Sequence, residues 1–376
     1  MDHKAVSMNC TTHAFGPKEI STKTLSVNVS SERIRWMRKS IRDPLSKHEQ
    51  DHFYPYDDIE NMIIEDAFKN GQTHVMLDDY YIDFKYNLQI SNNDNNEQRV
   101  VKRIVCGIGD KYRREERYLL NPVSLNRPFG GQYGFVSPFI KQVVKELGIT
   151  KELLPSKNEA IVSTIVEKAA LGIIEEGKKI KKKVEAERIA KILLENKELG
   201  MKKVWICCAK LYTMNGFLFQ IVNETMRSIG KEQHFDVWRS KISTLGPYCL
   251  LLWDNPFNSK ITKVGTVLYR GVQLSDDLID VFKRDCSKSP KPWRSFQAFT
   301  SCTRNPNVAD IYGNVLFLMT TRVAFTIDIQ SYSMFPDEEE ELLFPGVCFT
   351  IDRVEYDDNR KKHLIYLTLN HKYNSK

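Results

Sequence analysis

Glu338-Glu339-Glu340-Glu341-Leu342-Leu343-Phe344-Pro345 is the stretch whose reading decides how the last third of this chain folds. A run of glutamates is ordinarily a solvated loop. Here Glu341 runs straight into Leu342-Leu343-Phe344, so the run is read as entering a buried strand. Strand alternation then turns Glu339 and Glu341 to one side and Glu340 to the other. Two carboxylates on one side repel unless a cation lies between them. Asp337 and Glu338 are read as solvated. Two strings lie upstream, Val267-Leu268-Tyr269-Arg270-Gly271 and Phe296-Gln297-Ala298-Phe299-Thr300-Ser301-Cys302-Thr303. An arginine, a small hydroxyl and paired acids on three strands suit a dinucleotide with a breakable glycosidic bond. A guanidinium fork grips phosphate oxygens, Gly271 permits close backbone approach, and a carboxylate stabilises an anomeric cation.

In that order, the three strings resemble the R-S-E active site of arginine-specific mono-ADP-ribosyltransferases, and the likeness extends over residues 155–372. The resemblance implies an α+β fold, with a C-terminal split β-sandwich and an N-terminal helical subregion. It implies NAD+ as co-substrate, no metal, and acceptor proteins with an exposed arginine. Arg270, Gly271, Ser301, Tyr312 and Glu341 would lie at NAD+, with Arg270, Ser301, Glu339 and Glu341 as the catalytic set. Glu341 would bind a ribose hydroxyl, Ser301 would help hold Glu341, and Glu339 would receive the acceptor guanidinium. A glutamate rather than a glutamine at 339 points to arginine. The family's Ser-Thr-Ser is here Ser301-Cys302-Thr303, and Ala298 stands where a serine is common. Tyr332, Phe335 and Glu339 are the candidate acceptor residues. The two aromatics either clamp the acceptor or pack within their own turn. Tyr312 either stacks on nicotinamide or simply packs. Capture of the sugar cation by water, giving an NAD+ glycohydrolase, is the alternative outcome at the same site.

Upstream, Ile34 to Cys106 reads as a separate compact unit. A short strand opens at Trp36, a helix spans Asp57 to Phe68 and ends at Gly71, and strands follow at Val75–Leu77, Tyr80–Ile90 and Arg99–Cys106. Trp36, Tyr56, Ile64-Glu65-Asp66-Ala67-Phe68, Tyr80-Tyr81-Ile82-Asp83-Phe84, Gln89 and Arg99 to Arg103 resemble a WWE domain, a small α+β half-barrel. The family's second tryptophan is absent, with His52-Phe53 roughly in its place. The resemblance implies binding of ADP-ribose polymer, with Tyr80, Gln89 and an arginine such as Arg99 or Arg103 at the ligand mouth, or a protein-interaction role. On the plainer reading Tyr80 and Gln89 only pack and cap a small sheet. A non-enzymatic ADP-ribose reader is the rival to the enzyme reading, and intact Arg270, Ser301 and Glu341 weigh against it.

At 376 residues and 41% hydrophobic the chain has room for two cores. The expected division is a disordered tail at 1–30, the WWE-like domain at 31–107, a Gly/Pro-rich linker at 108–150 and the transferase domain at 151–376. A net charge of +7 favours anionic partners, which cofactor phosphates satisfy as well as nucleic acid does, and nucleic acid is not expected. No apolar run is long enough to span a membrane. The eight cysteines include no CxxC pair, and no secretory signal is visible at the N-terminus, so free thiols and an intracellular setting, cytoplasmic or nuclear, are expected. Ser156-x-x-Glu159 reads as a capping box for a helix towards Glu176. Lys178 to Glu198 reads as a second helix whose lysine run is a solvated face. The apolar segment Val204–Met226, with Lys210-Leu211-Tyr212-Thr213 and Asn223, reads as scaffold. Beyond Gly265 strands are expected at 266–270, 297–301, 315–320, 323–329, 347–355 and 363–369.

Overall fold

The computed structural model describes residues 33–40, 52–106, 137–229, 234–257, 262–323, 326–333 and 335–370. The expected tail, and most of the expected linker, lie outside the described residues.

The first unit is a six-stranded antiparallel sheet crossed by one helix. Its strands are β1 (Arg33–Lys39), β2 (Phe53–Pro55), β3 (His74–Met76), β4 (Tyr80–Asp83), β5 (Leu88–Ser91) and β6 (Gln98–Cys106), in the order β2-β1-β6-β5-β4-β3. Helix α1 (Asp58–Lys69) buries Ile64 and Ala67 against Trp36, Ile82 and Val101. The single strand expected over 80–90 is two. Asp83 Oδ1 accepts the amides of Lys85 and Tyr86, and Asn87 takes φ 52°, so the chain turns there.

A helical unit follows: α2 (Pro138–Glu146), α3 (Val162–Lys179), α4 (Lys183–Glu195), α5 (Met201–Thr213), α6 (Phe217–Arg227), α7 (Phe235–Ser240) and α8 (Ile242–Trp253). Phe139, Ile140 and Val143 of α2 belong to its core, so this unit reaches back into the segment expected to be linker. The capping box does not form. The Ser156 amide and hydroxyl both bond to Asp254, at 2.6 and 2.7 Å. Asn158 caps the short turn before α3. Glu159 reaches instead to the Met201 amide at 2.8 Å, supplying an acceptor at the start of α5. The helix expected from Lys178 to Glu198 breaks at Lys181, whose φ is +59°, so the lysine run is the corner between α3 and α4.

The last unit contains β7 (Val267–Val272), α9 (Asp276–Ser287), β8 (Arg294–Ser295), β9 (Thr300–Thr303), α10 (Pro306–Ala309), β10 (Val315–Val323), β11 (Thr326–Asp328), β12 (Glu340–Leu343), β13 (Cys348–Asp357) and β14 (Lys362–Asn370). The eight strands bond in the order β11-β12-β9-β7-β10-β14-β13-β8. The β10–β14 pair is parallel and the remaining pairs are antiparallel. One face of the β9–β12 end joins the helical core through Ala298, Phe299, Leu342 and Phe344. The other closes on Phe282 of α9 with Phe296, Cys302, Phe317 and Leu343. The three strings that opened the sequence reading thus sit on β7, β9 and β12, which are immediate neighbours.

Candidate active site

Arg270 lies in mid-β7, 3% exposed, and its Nη1 donates to the Ser301 carbonyl at 2.6 Å. Across β9–β12, Cys302 pairs with Glu341 and Ser301 with Leu342. Across β7–β9, Tyr269 pairs with Thr303, and that register runs on to set Arg270 against Cys302. Directly paired residues share a face. Arg270, Cys302 and Glu341 therefore form a row across three strands on one side of the sheet. Arg270 and Glu341 come together as expected. The side chain between them in register is Cys302, and Ser301 meets Arg270 through its carbonyl.

Glu341 is 5% exposed. Burial lifts its pKa above the ordinary carboxylate value, Asp328 adds to the rise, and a hydrogen bond from Thr326 and the charge of Arg304 oppose it. Thr326 Oγ1 donates to Glu341 Oε1 at 2.5 Å. The resemblance gave Ser301 a role in holding this glutamate, whereas the hydroxyl observed on Glu341 Oε1 comes from β11. Thr326 carried no signal in the sequence, because β11 is a short edge strand whose register only the fold supplies.

Glu339 departs from the strand reading. It is a left-handed turn residue, φ 46° and ψ 46°, closing the short helix Pro336–Glu338, and β12 starts at Glu340. Alternation therefore does not set its direction. A turn locked to the end of β9 does. The Arg304 amide donates to the Glu339 carbonyl at 3.3 Å, and Asn305 Nδ2 to Glu339 Oε1 at 3.3 Å. Arg304 Nε lies 3.6 Å from Glu341 Oε2, while its Nη2 holds Asp328 at 2.5 Å. The cation beside Glu341 is thus Arg304, one residue past the quoted string, and it serves Asp328 rather than Glu339 as its second acid. Glu338 is buried rather than solvated, and Glu340 is buried as well.

Gly271 is tightly covered. A Cβ there would stand 2.3 Å from the Ala309 carbonyl oxygen and 2.6 Å from that of Tyr312. The close approach that requires glycine comes from the chain's own 309–312 segment, which also seats the buried Tyr312 beside Arg270-Gly271. Tyr332 is half-buried, edge-on to Trp205 at 5.7 Å and stacked with Phe257 at 6.3 Å, so it packs on the helical unit. Phe335 is buried. Neither is the exposed clamp considered for the acceptor. Tyr212 and Asn223 act as scaffold at a specific place. The Tyr212 hydroxyl donates to the Phe299 carbonyl at 3.0 Å and receives Asn223 Nδ2 at 3.0 Å, fixing the chain that leads into β9.

In the first unit, the Tyr56 hydroxyl donates to Gln89 Oε1 at 2.7 Å. Tyr80 is packed on Tyr56, and burial drives both phenols well above their ordinary pKa. Arg99 pairs with Gln89 across β5–β6, and the Arg38 guanidinium lies 5.3 Å from the Tyr56 ring centre. Tyr80, Gln89 and Arg99 therefore gather as expected, joined by Tyr56 and Arg38. Arg103 does not join them. It forks onto Glu65 at 2.9 and 2.8 Å, and Glu65 also receives the Trp36 indole N–H.

Residues 178–375, more than half of the chain, match the NAD:arginine ADP-ribosyltransferase family. The chain belongs to that family. This makes it an NAD+-dependent ADP-ribosyltransferase, with NAD+ as co-substrate. Residues 46–103 match the WWE domain, so the transferase carries a WWE domain ahead of its catalytic region. No curated protein matches the chain. Among solved structures the transferase is similar to the ADP-ribosyltransferase HopU1 of Pseudomonas syringae pv. tomato (20% identity, 45% of this chain and 77% of that one, TM-score 0.37). It is also similar to the C3 exoenzyme of Clostridium limosum (17%, 44% and 84%, TM-score 0.34). A third is exoenzyme S of Pseudomonas aeruginosa, in complex with human 14-3-3 protein beta and bound to carba-NAD (15%, 55% and 88%, TM-score 0.35).

Proposed function

We infer that this transferase moves ADP-ribose from NAD+ to the guanidinium of protein arginine, releasing nicotinamide. One observation carries the reading: the Glu341 carboxylate already lies beside a guanidinium, with a second acid, Glu339, on the turn just before it. Arg304 lies 3.6 Å from Glu341, and its neighbour Asn305 holds Glu339. A carboxylate that sits beside one guanidinium, with another acid next to it on a turn, has the charge to meet a second guanidinium.

The roles follow from placement. Arg270 would hold the diphosphate through its guanidinium fork. The Gly271–Tyr312 crossing would form the wall of the nicotinamide pocket. Glu341, ionised and fixed by Thr326, would oppose the positive charge that develops on the ribose as the glycosidic bond lengthens. Glu339, on its turn rather than on the strand, would receive the acceptor guanidinium and draw off its proton.

Incubation of the full chain with labelled NAD+ and an arginine-bearing acceptor tests this. Label on protein that hydroxylamine removes supports arginine transfer. Label stable to hydroxylamine excludes an arginine linkage, and free ADP-ribose alone makes the enzyme a glycohydrolase.

In the WWE domain, the Tyr56–Gln89 bond beside Tyr80, Arg38 and Arg99 supports an ADP-ribose-type ligand, with two aromatics for a base and two cations for phosphates. Titration of the full-length Glu341→Gln enzyme with ADP-ribose oligomers tests it. Saturable binding lost in Gln89→Ala supports that ligand, and no saturation rejects it.

A further inference from the structure

Arg33, the first residue of β1 in the WWE domain, places its guanidinium 4.1 Å from the ring centre of Phe335. Phe335 precedes Pro336–Glu338, the short helix that Glu339 closes. The residue expected at the acceptor is therefore covered by a side chain some 300 positions away. Arg33 is half-buried there, with burial lowering its pKa and the charges of Asp58 and Asp337 opposing that fall. Asp58 belongs to α1 and Asp337 to the acceptor turn, so the guanidinium bridges the two units electrostatically as well as through the ring.

The contact is not made by a loosely hung domain. The Asn215 amide donates to Asp58 Oδ2 at 2.7 Å, and the Asp58 amide to the Asn215 carbonyl at 3.2 Å. Asp78 receives the amides of Val184 and Glu185 at the start of α4, at 2.8 and 3.4 Å. Arg188 pairs with Asp66, and Ile59 of α1 lies in the core of the helical unit. With α1 fixed at both ends, β1 is held in place to deliver Arg33.

We propose that the WWE domain supplies Arg33 as a positioning residue for acceptor recognition. The guanidinium clamps the Phe335 ring and so fixes the turn that aims Glu339. The proposal rests on the reading that Glu339 meets the acceptor. It gives the WWE domain a part in transfer that is independent of any ligand in its own mouth. The clamp acts on the acceptor side of the site, because the NAD+ residues Arg270, Gly271 and Tyr312 lie on β7 and the 309–312 segment.

The test uses the full chain as wild type, Arg33→Ala and Arg33→Lys, with agmatine as the guanidine acceptor and NAD+ hydrolysis measured in its absence. Arg33→Ala should raise the acceptor KM by about threefold to thirtyfold, the span for losing a partly desolvated cation–π contact. NAD+ hydrolysis should stay within about twofold of wild type, and Arg33→Lys should recover part of the KM. Unchanged acceptor kinetics overturn the proposal, as does a joint fall of transfer and hydrolysis in both variants. Failure of the arginine reading shows separately, as wild-type NAD+ cleavage without labelled agmatine. Amide hydrogen exchange then decides Arg33 alone. Faster exchange at 335–339 in Arg33→Ala, with 300–303 unchanged, supports the clamp, and equal exchange at 335–339 overturns it.

Discussion

Glu341 has to be ionised to oppose a cation, yet burial pushes its carboxyl above the ordinary value of 4.5. Thr326 and Arg304 are what hold it down. Glu341→Gln keeps the shape and removes the charge, so NAD+ cleavage should fall roughly 10²-fold or more, the scale for losing one preorganised charge partner. Single-turnover nicotinamide release measures this, and retained turnover would reassign the residue. Arg304→Ala acts on the same carboxylate by a different route. The raised pKa places the acid limb of activity above the usual carboxylate range, because the working form is the deprotonated one. Removing a nearby cation lifts that pKa further, so the acid limb should move to higher pH. A pH–rate profile of NAD+ cleavage reads it. Loss of activity at every pH, with no displacement of the limb, would make Arg304 merely structural.

Among the elements, the 309–312 segment crosses β7 so closely at Gly271 that no side chain fits there. Gly271→Ala would drive a Cβ to 2.3 Å from one backbone oxygen and 2.6 Å from another, and neither can swing aside as a side chain would. The expected cost is about 1–3 kcal/mol, seen as a fall in Tm of roughly 3–10 °C and a raised KM for NAD+. An unchanged Tm would mean that the segment is free to move away. This element also shows what could be read in advance. Arg270, Gly271 and Glu341 were legible because their strings, each with apolar flanks in a strand pattern, follow one another in an order that resembles a known active site. Glu339 was not, since strand alternation cannot foresee a left-handed turn residue one step before the strand begins. Thr326 and Arg304 were illegible for a related reason, because their roles depend on which strands become neighbours. That α2 packs on the helical unit was not legible, because a helical pattern does not say which core it joins; its Phe139, Ile140 and Val143 belong to the helical core.

Over the whole molecule, the charges that looked like solvated faces turn out to join two units. Lys182, in the lysine run, lies 3.4 Å from Glu60 of the WWE domain and 2.6 Å from Glu185 of α4. Both carboxylates are buried, Glu60 at 4% and Glu185 at 0% exposure. One lysine thus serves two acids at the junction, with Asp57 adding further negative charge. Burial, reinforced by Glu60, raises Glu185 to about 7 from its ordinary 4.5, although Lys182 pulls the other way. A carboxyl raised on folding contributes stability that is complete below pH 4.5 and is lost as pH climbs through about 7. Glu185→Gln stays neutral and should escape that loss. Its Tm should exceed that of the wild type increasingly from about pH 4.5 to pH 7 and then level off, by an amount equivalent to about 1–3 kcal/mol at the plateau, as scanning calorimetry would record. Parallel curves would show that Glu185 does not titrate in this range. The same junction fixes the strand that carries Arg33, so loosening it should reach the acceptor turn. The wild-type acceptor KM should then rise above pH 7 while that of Glu185→Gln stays level, and an identical rise in both would uncouple the junction from acceptor recognition.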